Sequence, residues 1–495
     1  MDDSQSKFRP LLDEATPTVQ KVDPESKSET SEKDILISTK KPRLHPGLSG
    51  SLAKAEAYAL KHASGRNLED DSDESEMDDA FKQTLEDATP NTKRKLLDEA
   101  EDEKKGKIGP VATFFTLIKG FVGTGILFVP KAYYTGGWGF MSIALTLSAL
   151  LTCFASVKLI QIRAKYKMNY SEIGFKAYGA FGKFLVDFFL LLTQFLFVTA
   201  YITFIANSMN NVLREHFNYE LNKWIYGGIL FVLFSLMCWV RKIEKFAIFH
   251  IFADVSIVIG ITVICVYGVK EGVQNGFKTD NNFINTDTFL TVIGFAAYSY
   301  EGIGLILPIM ETTSRPDIYP HILVGVILLL NCIFMFFGIL LYFSFGRDKI
   351  SSKPLVTDIL PSKDIPITIV EIIWVINIIL TYPLMFYPSH KVFESYVYAG
   401  FKKGQLRKWL KNLTRTIFVS FTVVLSLILA DTLDKLESIN GAFACIPMAF
   451  VLPCLFHYKL LAETKLQKII DLTIVGCSLV LMVVCSVMTF LKWND

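Results

Sequence analysis

One acidic side chain, Glu301, sits inside an apolar run (288–310) long enough to cross a bilayer, for which about 20 residues are needed. A carboxylate at mid-membrane depth costs at least roughly 2.5–3.5 kcal/mol, so it must face a cavity or a partner. Around it stand Tyr298, Ser299, Tyr300, Gly302, Gly304 and Pro308. Glycine and proline weaken helix continuity there and free backbone N–H and C=O groups for other work. The same design occurs earlier, where Gly123, Thr124 and Gly125 are followed by Pro130. Freed N–H groups at Gly123–Gly125 open a half-helix, an electropositive end that suits a carboxylate. Freed carbonyls near Tyr298–Tyr300 close one, and suit an ammonium group. Small residues also let membrane helices pack closely, which is the structural alternative for both segments.

These residues need long helices to hold them. The chain has 495 residues, 51% hydrophobic and 20% charged, with the charges clustered and the remainder read as long runs apolar all round. That pattern is polytopic, since a soluble chain would show amphipathic periodicity. Eleven spans are expected near 110–134, 138–160, 184–207, 224–240, 246–268, 288–310, 320–345, 366–388, 416–431, 439–458 and 470–491. With the first and sixth equivalent, the chain divides into a first five-helix repeat (107–268), a second (288–458) and an additional helix (470–491). Paired Gly/Pro-interrupted spans in two halves point to inverted repeats, with the site at the breaks near mid-depth. Donors on one wall and acceptors on the other match a zwitterion, and an α-amino acid is the smallest common solute of that shape.

Residues 1–106 read as a disordered acidic, Ser-rich tail, too polar to offset its ordering entropy. Its acidic run (69–79, with Ser72 and Ser75) reads as a solvated charge run or, alternatively, a segment for kinases, and Glu32–Ile37 loosely fits a pattern read by sorting adaptors. Basic residues concentrate in loops after even-numbered spans, which puts the tail in the cytosol. The sequons at Asn169 and Asn412 then fall on the cytosolic side and should carry no glycan. The eight cysteines fall inside spans as small core residues, without a disulfide or metal pattern. The basic loop 402–411 suits lipid head groups, and no nucleic-acid module accompanies it.

Four segments, 120–130 (GFVGTGILFVP), 298–311 (YSYEGIGLILPIME), 381–388 (TYPLMFYP) and 441–453 (GAFACIPMAFVLP), occur in the order typical of one family. Residues 108–491 thereby resemble the amino acid/auxin permease family, in its proton-coupled branch that includes fungal vacuolar amino acid transporters. The resemblance implies an all-α, LeuT-type 5+5 fold with an extra helix. It implies an alternating-access carrier moving neutral amino acids with protons from an acidic lumen to the cytosol, at the vacuolar membrane or alternatively the plasma membrane. No nucleophile or metal set accompanies His250 and Asp254, the one weak acid–base candidate, so neither enzyme activity nor a cofactor is expected. Animal plasma-membrane members carry a histidine three residues before the lysine matched by Lys119; here Thr116 stands there, so coupling must rest elsewhere.

Glu301 is the candidate for it, loading a proton in the lumen and releasing it in the cytosol. The structural alternative has it held in one state by a lysine or backbone donors. Lys119, a turn before the first break, and Asp254 on the fifth span form a candidate inner gate; the structural alternative has Lys119 reaching to the cytosolic interface and Asp254 bonded to nearby backbone. Asp187, Gln194 and Tyr201 recur every seven residues on the third span, and Tyr382 precedes Pro383 on the eighth; each could line the pocket or glue helices together. Glu371, Asp431, His321 and His457, near span ends, are expected at the interface. An amino-acid sensor signalling through the tail is the alternative function, and deleting residues 1–100 would separate it from a carrier.

Overall fold

A computed structural model describes residues 108–240, 247–279, 282–351, 355–361, 363–398, 400, 404–429 and 432–492, with only the main chain for 124 and 247–254. The expected tail, with its acidic run and adaptor motif, lies outside the described residues. Among these residues the only extended pairing is one isolated bridge, Ile108 to Thr313; the rest is helix and connection.

Nine helices are long and apolar enough to cross a membrane among the described residues, and a bent pair, Pro110–Phe121 with Gly125–Gly136, makes a tenth. The shorter apolar helix Lys223–Trp239 occupies the expected place of the fourth span. The first expected span is broken, with Pro110–Phe121 ending at an extended Val122, a 3-10 turn Thr124–Phe128, and Val129–Gly136 bent by 50°. The second span is Trp138–Tyr166 and the third Tyr170–Phe217. The third begins well before residue 184 because the polar segment at its start is also helical. An Asn169/Glu172 capping box starts it, and Gly179 (φ 64°) turns it sharply into the long apolar part. Asn169, one of the two sequon asparagines, spends its side chain on that cap.

The fifth span is Ala247–Asn275 and the sixth comprises Thr291–Tyr298 and Ile303–Thr312. Tyr319–Ser351, Ile365–Val397 and Gln405–Ile428 are the seventh, eighth and ninth. The tenth, Leu433–Leu460, contains two π-helical stretches, Asn440–Cys445 and Pro447–Val451. Lys465–Leu491 is the eleventh. The outer faces of these helices carry exposed apolar residues such as Leu147, Phe188, Phe336, Phe421 and Val483, as a lipid-facing surface requires. Cys332 and Cys477 are exposed, while the other cysteines are buried or half-buried; none is paired.

The two interrupted spans lie side by side and antiparallel. The start of the first is tied to the end of the sixth by Ile108 N–H to Thr312 O (2.7 Å), Ser314 N–H to Ile108 O (2.9 Å) and a Thr113–Thr313 hydroxyl bond (2.9 Å). At the other end, the Thr288 hydroxyl donates to Thr135 O (2.6 Å) and Gly136 abuts Val292. Between these ends Gly120 faces Leu305, Phe121 faces Gly302, and Gly125 faces Tyr298. The breaks are therefore in register.

Candidate functional site

Both interruptions leave main-chain groups outside the regular helical ladder. At the first, Val122 N–H still reaches Ile118 O (2.8 Å), after which Gly123 (φ −116°, ψ −147°) takes the chain out of the helix. At the second, Tyr298 O accepts Glu301 N–H (3.1 Å) and Ala297 O accepts Tyr300 N–H (3.4 Å), so the helix closes in tight turns. The carbonyls of Ser299 and Tyr300 accept no backbone hydrogen bond among the described residues. The chain restarts at Gly302, with its C=O accepting Leu305 N–H (2.9 Å). This second opening lies within a single crossing, Thr291–Thr312, whereas the first carries the bend.

Close approach explains the glycines. A Cβ on Gly123 would stand 3.1 Å from the Tyr201 hydroxyl, and one on Gly125 3.2 Å from the Tyr298 ring. On Gly302 it would lie 2.7 Å from the Phe121 ring, and on Gly304 it would meet Leu190, with Gln194 Nε2 at 3.9 Å. The third span thus brings Gln194 to the second break and Tyr201 to the first. Tyr298 stacks on Phe197 (4.6 Å between centroids), and its hydroxyl donates to Glu437 Oε1 (3.1 Å). Ser299 donates to Phe295 O (2.9 Å), and Tyr300 to Asn331 Oδ1 (2.8 Å).

Glu301 is 5% exposed, and neither carboxyl oxygen has a hydrogen-bond partner. Gln194 Oε1 and Asn440 Nδ2 are likewise buried without one. Tyr170 and Cys445 lie within electrostatic reach of Glu301, and Cys445 Sγ approaches Asn440 Oδ1 at 3.9 Å. Polar atoms from the third, sixth and tenth spans therefore converge on the second break with their hydrogen-bonding capacity unspent. An unpaired buried charge costs several kcal/mol, so this carboxyl must hold a proton or meet a ligand.

The other expected residues have definite places. Lys119 is 4% exposed and donates to Asn377 Oδ1 (2.8 Å) on the eighth span. The side chains of Thr124 and Asp254 lie outside the described residues, and with Asp254 the gate pair. Tyr382 is buried, its hydroxyl bonded to Thr422 (2.9 Å) and its ring stacked on Phe234 (3.8 Å), contacts with the ninth and fourth spans. Asp187 accepts from Ser171 and Tyr396, which fastens the start of the third span to the end of the eighth. His321 is exposed, whereas Glu371 and His457 are only 2% and 3% exposed; Asp431 lies outside the described residues.

Sequence reasoning missed Glu437 and Asn440. The tenth span was expected to begin at residue 439, but the helix begins at Leu433, so Glu437 falls inside it, 0% exposed. Gly441 was the available signal: its Cβ would lie 1.8 Å from Gly294 O, so the sixth and tenth spans touch backbone to backbone. π-helical turns widen the tenth span at the same level, as they often do at functional sites. A cavity of about 360 Å³ opens on the side where the first span ends; Phe128 and Phe295 line it together with Lys131, Arg347 and Asp434.

The family described as "transmembrane amino acid transporter protein" matches residues 106–491. The chain belongs to that family. It is 31% identical over 404 residues to vacuolar amino acid transporter 3 of Saccharomyces cerevisiae, covering 79% of this chain and 57% of that protein. The protein of the same name in Schizosaccharomyces pombe is 31% identical over 379 residues, 76% of this chain and 57% of that one. The chain thus spans a little over half the length of these yeast relatives. Amino acid transporter ANT1 of Arabidopsis thaliana is 25% identical, over 74% of this chain and 89% of its own. Among solved structures, MhsT in complex with L-phenylalanine superposes with a TM-score of 0.54 at 13% identity, over 76% of this chain and 98% of that one. The fold is LeuT-type, all-α and polytopic.

Proposed function

We propose that this family member is a secondary transporter that moves neutral amino acids together with protons, from the lumen of an acidic organelle to the cytosol, by alternating access. The observation that carries this reading is the register of the two breaks, with Glu301, Gln194 and Asn440 unsatisfied beside them. The N–H groups from Gly123 to Gly125 receive the substrate carboxylate, and the carbonyls of Ser299 and Tyr300 its ammonium. Tyr298, Gly302 and Gln194 complete the pocket and Thr124 joins through its main chain, while Tyr382 spends its hydroxyl on Thr422 and its ring on Phe234. Glu301 takes the proton.

The two repeats, 107–268 and 288–458, rock against each other, with 470–491 as an addition. Lys119, bonded to Asn377, and Asp254 close the inner side. The vacuolar names of the yeast relatives support an acidic-organelle membrane, and the distribution of loop charge supports a cytosolic amino terminus.

One pH unit is worth about 1.4 kcal/mol per proton, enough for roughly tenfold accumulation. Uptake of an amino-acid panel by vesicles under an imposed pH gradient, with and without an uncoupler, tests the reading. Neutral amino acids should accumulate and the uncoupler abolish it, while Glu301→Gln should retain exchange but lose the pH drive. Wild-type protein that accumulates no amino acid, or a Glu301→Gln variant driven by pH like wild type, overturns the proposal.

A further inference from the structure

A second buried carboxyl has no role in the site above. Glu371 lies on the eighth span, 2% exposed, and neither oxygen has a hydrogen-bond partner. It belongs to the side of the molecule where the first span ends, since Ile365 begins its helix there and Lys131 Nζ donates to Ser351 O (2.5 Å) at the close of the seventh span. Among the described residues, two acidic groups lie in electrostatic reach, Asp358 from the short turn Val356–Asp358 and Glu215 from the third span. Asn211 Nδ2 donates to Asp358 Oδ1 (2.7 Å), and Glu215 is near Arg214 (3.5 Å) at the exposed edge. From the helix start, Asp364 accepts the Tyr267 hydroxyl of the fifth span (3.0 Å), and His216 Nε2 meets the Thr368 hydroxyl (2.7 Å). Thr357 Oγ1, beside Asp358, is 1% exposed and also without a partner.

We infer that Glu371 is a second proton-accepting site, at the mouth of the carrier opposite its amino-terminal end. Two neighbouring carboxylates attract a cation, and burial without a donor forbids a bare charge. A proton fits the space: among the described residues no three His, Cys, Asp or Glu side chains are grouped closely enough to hold a metal ion. The transfer breaks one O–H bond of a hydronium ion on the acidic side, leaving water, and makes one on a Glu371 oxygen. The proton passes back to water at the same face when the acidity there falls and water reaches the carboxylate. A carboxyl so placed senses lumenal acidity before the deeper Glu301 does.

This inference rests on the transport reading, and the test separates the two. Full-length wild type and Glu371→Gln are compared in phosphatidylcholine–phosphatidylserine vesicles by acid-minus-neutral infrared difference spectra and by pH-driven uptake of the neutral amino acid that the wild type carries fastest. The infrared band of a protonated carboxyl reads occupancy whether or not uptake occurs, so a wild type that carries nothing sinks the transport reading alone. Glu371→Gln should lose one such band, and pH-driven stimulation should fall about tenfold across one pH unit, the factor a single proton supplies. An unchanged band overturns the site; a lost band with wild-type pH drive overturns its part in coupling. Should Glu371→Gln fail to fold, Glu371→Asp replaces it, with a shifted band and pH midpoint supporting the assignment and unshifted ones overturning it.

Discussion

The Phe121 ring lies 2.7 Å from the point where a side chain on Gly302 would begin, so the first broken span rests directly on the backbone of the second. Even one methyl group there must push the ring aside. Gly302→Ala should destabilise the protein by about 1–3 kcal/mol, the usual cost of overpacking. Phe121→Leu should recover part of that loss in the double variant. Thermal melting of the purified proteins measures both, and an alanine variant as stable as wild type would contradict the contact.

The two breaks were legible because glycine and proline are conspicuous in apolar runs. Gly123, Gly125, Gly302 and Glu301 lie at the interruptions of the first and sixth spans, which pack side by side. What converges on them was harder to see. Glu437 looked like a loop residue because hydropathy falls before residue 439, although the helix starts at Leu433. The bond from Lys119 to Asn377 could not be read from the sequence, because it depends on how the first span crosses the eighth. Glu371 and His457 looked interfacial from their places near span ends, but lateral packing against neighbouring helices buries both. Periodicity along one helix carries no information about such crossings.

Lys119 and Asn377 should behave as a coupled pair. A buried bond from a charged donor is worth about 1.5–3 kcal/mol, more than an exposed one. In a double-mutant cycle on thermal stability, Lys119→Met and Asn377→Leu together should cost clearly less than the two separate losses. Strict additivity would show that the bond contributes nothing.

The eleventh helix is held by a buried chain of polar contacts. His457 Nδ1 meets Asp471 Oδ2 at 2.5 Å, and Lys158 Nζ approaches His457 Nε2 at 3.3 Å, joining the second, tenth and eleventh spans. Removing one member strands its partner, which typically costs about 3–5 kcal/mol. Asp471→Leu should therefore lower the melting temperature strongly, yet leave uptake per folded molecule close to wild type. Normal stability, or a transport defect in a stable variant, would assign this cluster a different role.

The central claim, that an amino acid sits where the two breaks meet, is tested most directly by equilibrium binding of a radiolabelled neutral amino acid to the purified protein. A Cβ added to Gly125 would stand 3.2 Å from the Tyr298 ring, while Gly476 on the eleventh helix has open space around its Cβ position. Gly125→Val should weaken binding at least about tenfold, or 1.4 kcal/mol, while Gly476→Val binds like wild type. Wild-type affinity in a folded Gly125→Val protein would contradict the account.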